Sequence, residues 1–209
     1  FAKIGKPAIP HLTEALEDEK LQVRIGSALA LYPIDHTKQD VILPILIEAL
    51  GDDNAGPVIA MKLADFGQSI LPNLEKAFNS DDYNTYQNAA AALGKMGTPS
   101  LPIFQHFIGD FVSKIFEEFD QATLNKMEVT LSVLLTLGKE AKPLTADLIK
   151  ILAHQQFGET AAGILSRIGE SAVPNLIQLL KSKDNKIRSN AAYALGEMRT
   201  GSPQAKKSL

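Results

Sequence analysis

The 209-residue chain contains no cysteine and no tryptophan. Without cysteine there is no disulfide framework, no thiolate nucleophile and no Cys-ligated zinc or iron–sulfur centre. That absence is compatible with a reducing compartment, and a cytoplasmic location is the expectation. Long apolar runs are missing as well. The longest, about Val41 to Ile47, is interrupted by Pro44, far short of the roughly 18 residues that cross a bilayer. No strong charge of one sign is present: the net charge is −3 and the pI about 5.8, which argues against a general nucleic-acid binder. Signatures of chemistry are also lacking. His11, His36, His106 and His154 show no His-Glu-x-x-His spacing, and there is no Gly-x-Ser-x-Gly elbow or phosphate-binding glycine loop. No catalytic residue, no metal ligand and no cofactor is therefore expected, and an enzyme is not the favoured reading. What remains, 45% hydrophobic and 22% charged residues, is the composition of a folded protein.

What the chain does have is a repeat. A glycine followed five residues later by a proline occurs at Gly5/Pro10, Gly67/Pro72, Gly97/Pro102, Gly138/Pro143 and Gly169/Pro174. The glycine intervals are 62, 30, 41 and 31. The first is two periods, and the skipped unit is centred on Pro44 without its glycine. Six units of about 31 residues follow, one of them enlarged by ten. Counting from each proline, Leu12, Leu46, Leu74, Phe104, Thr145 and Leu176 stand two on, and Leu16, Leu50, Phe78, Ile108, Ile149 and Leu180 six on. That spacing describes one face of an amphipathic helix starting near the proline. The glycine fits a left-handed cap on the preceding helix.

A second, alanine-rich helix follows in each unit. Lys20, Asp52, Asp82, Thr123, His154 and Asp184 stand at its start. The Asp and Thr members read as N-caps, whereas Lys20 and His154 break the column. One such hairpin cannot bury its apolar face, but stacked hairpins can. The fold class expected is all-α: a right-handed α-α superhelix, or α-solenoid, of six hairpins over residues 1–198. Residues 199–209 form a tail or a truncated seventh unit, and the chain is expected to be part of a longer protein.

Ile168-Gly-Glu-Ser-Ala-Val-Pro-Asn-Leu-Ile177 followed by Ile187-Arg-Ser-Asn-Ala-Ala-Tyr-Ala-Leu-Gly196 resembles the short HEAT-like repeat named after the phycobilisome lyases. Ile4-Gly-Lys-Pro-Ala-Ile-Pro-His-Leu12 with Val23-Arg24 is similar. The resemblance covers residues 1–198. Its arginine stands at Arg24 and Arg188, with Tyr86 and Gly158 in its place in the third and fifth units.

The resemblance implies that the second helices line a concave face. Carboxamides recur on them, and such groups can bind polypeptide without demanding charge. The candidate binding residues are Asn84, Asn88, Asn125, Gln156, Thr160, Lys186, Asn190 and Tyr193. The enlarged fourth unit holds five of the nine phenylalanines. It reads as an elongated first helix or as two helices broken at Gly109, with Phe111 and Phe116 as candidate aromatic contacts. A scaffold binding a protein partner along the concave face is the leading function. A phycobiliprotein chromophore lyase or its chaperone is the alternative by resemblance, and nucleic-acid binding comes third because of the basic group Lys181, Lys183, Lys186 and Arg188. No membrane association is expected, and the oligomeric state is open.

Overall fold

The computed structural model describes residues 5–115 and 117–198. These residues form an all-α solenoid of helical hairpins joined by short 3-10 turns. The backbone falls into two compact units, residues 1–95 and 96–209. The N-terminal unit carries α1 (Ile9–Glu14), α2 (Leu21–Leu31), α3 (Gln39–Glu48), α4 (Gly56–Leu63), α5 (Leu71–Phe78) and α6 (Tyr83–Met96), the last ending at the boundary. The C-terminal unit carries α7 (Leu101–Ser113), α8 (Gln121–Leu137), α9 (Thr145–Ile151), α10 (Gly158–Ile168), α11 (Val173–Leu179) and α12 (Asn185–Glu197). No described helix is long and apolar enough to cross a membrane.

Successive helices pack as hairpins, α1 on α2 in the N-terminal unit and α9 on α10 and α11 on α12 in the C-terminal unit. In the N-terminal unit α3 lies on α5, and in the C-terminal unit α7 lies on α9 while α8 and α12 flank α10. The core is the face the periodicity selects. Leu12, Leu46, Leu74, Phe104 and Leu176 are buried, as are Leu16, Leu50, Phe78 and Ile108. Small residues Ala89, Ala90, Ala161, Ala162, Ala191 and Ala194 are buried on the second helices, where a short side chain permits close helix approach.

The repeat glycines adopt positive φ, as expected, but not the left-handed helical conformation. Gly5, Gly67, Gly97, Gly138 and Gly169 have φ of 56 to 82° with ψ of −114 to −171°. That is the mirror-extended region which a Cβ forbids. It turns the chain into a 3-10 segment that leads the next helix. Pro10, Pro72, Pro102 and Pro174 occupy the first helical turn, where a missing N–H costs nothing.

Two repeats depart from the proline register. Pro44 lies inside α3, which begins five residues earlier at Gln39. Asp35 is the reason: its carboxylate accepts from the Thr37 N–H at 3.0 Å and the Thr37 hydroxyl at 2.6 Å, so the entering turn forms upstream. In the fifth repeat Pro143 sits in a seven-residue 3-10 segment, Gly138–Leu144, and α9 starts beyond it. Leu144, Leu148, Ile151 and Leu152 are fully buried there, and Thr145 and Ile149 are not among the buried residues.

The cap column also changes. Asp52, Asp82 and Asp184 accept backbone N–H groups at their helix starts. In the fourth repeat the cap is Asp120, which accepts from the Thr123 N–H at 2.7 Å, so Thr123 is not it. His154 Nδ1 accepts from the N–H groups of Gln156 and Phe157 at 3.3 and 3.4 Å in the turn ahead of α10, whose own N-cap, Phe157, has no side-chain bond. Lys20 makes no side-chain cap. Helix α7 runs unbroken through Gly109 and stops at Ser113, so Ile115 and Phe119 lie beyond it.

Candidate functional site

Helical period assembles the site. On α10, Glu159, Thr160, Gly163, Ser166 and Arg167 recur at three- and four-residue spacing, while Ala161, Ala162, Ile164, Leu165 and Ile168 turn inward and are buried. On α12, Tyr193 and Glu197 are one turn apart, opposite buried Ala191, Ala194 and Leu195. These two helices pack side by side. Their outer faces, with Leu135 of α8 and Gln156 ahead of α10, line a groove of about 350 Å³. Gly163 keeps its floor low; a Cβ there would stand 3.7 Å from Leu135 Cδ1.

The walls are polar. Arg167 is held in place by one bond, Nη1 donating to the Leu135 carbonyl at 2.9 Å. Ser166 spends its hydroxyl on the Gly163 carbonyl. Glu159 and Glu197 are exposed, and neither belongs to an ion pair among the described residues. Tyr193 is 43% exposed, the largest accessible ring of the groove. Behind Gln156, the His154 ring stacks on Phe157 with centroids 4.9 Å apart. Burial, then the nearby Lys186 ammonium, pushes the His154 pKa below the ordinary 6.5.

Of the residues expected from sequence, Gln156, Thr160 and Tyr193 meet in this groove. Lys186 is exposed at the start of α12, and Asn125 accepts at 2.7 Å from Gln121 on α8. In the N-terminal unit Asn84 donates to the Gly51 carbonyl and the Asp53 carboxylate. Asn88 is 9% exposed and donates to the Leu50 carbonyl at 2.9 Å, so its amide is occupied within the fold. Asn190 donates likewise to the Leu152 carbonyl at 2.8 Å. Phe111 is not a surface ring. It is 2% exposed, stacked on Phe119 at 4.1 Å and packed against His154 and Phe157. Phe116 lies outside the described residues. Glu159, Arg167 and Glu197 were missed by the sequence reading. Stepping three or four residues along the helix from Thr160 and Tyr193 finds Gly163, Arg167 and Glu197.

Among the described residues no cluster of His, Asp and Glu could hold a metal ion. Residues 145–209 match the family model for HEAT repeats, so this stretch, which contains α9 to α12 and the groove walls, is similar to that family. No curated protein matches the chain.

Proposed function

We propose that the second-helix face of the C-terminal unit is a protein-recognition surface. Its centre is the groove of Gln156, Glu159, Thr160, Arg167, Tyr193 and Glu197. Its occupant is an extended polypeptide segment carrying a lysine or arginine. The observation that carries this reading is the pair of exposed carboxylates, Glu159 and Glu197, lining one groove without an ion-pair partner among the described residues. A cation between them would form charge-assisted hydrogen bonds. The half-exposed Tyr193 ring supplies the rigid aromatic anchor that such interfaces favour. The Gln156 carboxamide and Thr160 hydroxyl can pair with a peptide backbone. The groove is shallow and polar, which suits an extended chain better than an enclosed small molecule. The similarity of residues 145–209 to HEAT repeats agrees with this, since solenoids present extended surfaces to partners.

Selection of dodecapeptides from a random library on the immobilised chain is the test. Lysine or arginine should be enriched in the bound peptides. Tyr193→Ala, and separately Glu159→Gln with Glu197→Gln, should each weaken a selected peptide about tenfold or more by fluorescence anisotropy. Selection of acidic peptides, or binding of an oligonucleotide with a steep salt dependence, would overturn the reading.

A further inference from the structure

A backbone carbonyl at the exit of the first helix needs a donor, and in four repeats it is closed in one of two ways. In the first and sixth repeats the closure is within the repeat. Arg24 Nη1 donates to the carbonyls of Asp18 and Glu19 at 3.2 and 3.4 Å. Arg188 Nη1 donates to those of Ser182 and Lys183 at 2.7 and 3.0 Å. In the second and fifth repeats the arginine position is Gly56 or Gly158, with no side chain to reach back. The correspondence is fixed by the backbone: the N–H groups of residues 24, 56, 158 and 188 each donate to the carbonyl four residues earlier, at Lys20, Asp52, His154 and Asp184. In the glycine repeats the carbonyl six residues ahead accepts from the following repeat instead. Asn88 Nδ2 reaches Leu50 at 2.9 Å, and Asn190 Nδ2 reaches Leu152 at 2.8 Å.

The glycine is required for this. A Cβ on Gly56 would collide with Asn88 Nδ2 and stand 2.6 Å from the Leu50 oxygen. A Cβ on Gly158 would meet Asn190 Nδ2 and the Leu152 oxygen at 2.5 and 2.6 Å. The sequence varies in step. The repeat after Arg24 carries Val58 where those after Gly56 and Gly158 carry Asn88 and Asn190.

We propose that arginine in cis and glycine with asparagine in trans are exchangeable closures of one carbonyl, and that the trans form is a clasp between successive repeats. In the C-terminal unit the clasp ties α12 to the end of α9 and the start of α10. Asn190 is then a positioning residue: it holds Tyr193 and Glu197 across from Gln156 and Thr160 and does not itself take the ligand. The clasp stands without the recognition reading; only its consequence for the groove rests on that reading.

A thermodynamic cycle in the full chain tests it, using Gly158→Ala, Asn190→Ala and the double variant. Either change breaks the same bond, so the double variant should lose little more in melting midpoint than the worse single one. Additive losses would overturn the clasp. Asn190→Asp separates hydrogen bonding from packing. At neutral pH it sets a carboxylate against the Leu152 carbonyl. On acidification the carboxyl regains an O–H donor, so its melting midpoint relative to the parent should rise between pH 7 and 4. A pH-independent difference would contradict the bond. Gly56→Ala and Asn88→Ala repeat the cycle in the N-terminal unit. If the cycle couples but a library-selected peptide binds Gly158→Ala as tightly as the parent, the positioning role is overturned while the clasp remains.

Discussion

His154 closes the turn ahead of α10 as Asp52 closes the one ahead of α4, whereas Asp120 and Asp184 cap α8 and α12 directly. An imidazole can accept at Nδ1 only when that nitrogen carries no proton, and burial together with Lys186 lowers its pKa from 6.5. The folded state therefore binds the proton less readily than the unfolded chain. The stabilisation is complete above pH 6.5 and is lost as the pH falls from there through the lowered folded value. Melting midpoints measured from pH 8 to 5 should decline across that window, and His154→Asp should remove the decline. The carboxylates of Asp52, Asp82 and Asp120 are held below their ordinary range, Asp52 by backbone N–H groups and the other two by threonine hydroxyls first. Their contribution is lost only as the pH falls below about 4. Gly169 isolates the backbone term, because a Cβ there would meet nothing within 4 Å yet φ is +82°. Gly169→Ala should cost about 1–3 kcal/mol in urea denaturation. The glycine column was visible in the sequence by its period; its mirror-extended conformation was not, because period reports spacing and not ψ.

Among the elements, α3 and α9 show how a punctuating residue can mislead. Proline excludes itself from a helix interior only by losing one hydrogen bond and crowding one carbonyl, and an upstream cap can outweigh that. Asp35 and Thr37 do so, leaving Pro44 exposed in the middle of α3. Pro44→Ala should therefore stabilise the protein by about 1 kcal/mol or more. Pro72→Ala, in the first turn of α5, should change little; equal effects in chemical denaturation would contradict this account of α3. The hydrophobic columns survived the error at Pro44 because a four-residue shift is close to one helical turn. At Pro143 the shift is three residues, and Leu144, Leu148, Ile151 and Leu152 are buried rather than Thr145 and Ile149. Fold class and hairpin order were legible from spacing alone. The cis and trans closures were not, since they pair columns in different rows: Gly56 with Asn88 and Gly158 with Asn190.

Over the whole molecule the small net charge of −3 conceals a division. Residues 170–209 hold seven Lys or Arg against three Asp or Glu, which leaves the preceding 169 residues at −7. The carboxamides that suggested a recognition face serve in part to join repeats, as at Asn88 and Asn190. The groove instead offers two carboxylates, a tyrosine ring and an anchored arginine beside Gln156 and Thr160, and of these Gln156, Thr160 and Tyr193 are the ones expected from sequence. The most direct test is a chemical-shift map of the isotope-labelled chain titrated with a selected lysine- or arginine-bearing peptide. The account predicts that perturbations concentrate on Gln156, Glu159, Thr160, Gly163, Tyr193 and Glu197 and vanish in Tyr193→Ala. Perturbations confined to the first-helix surface, around Pro174, Asn175 and Gln178, would contradict it.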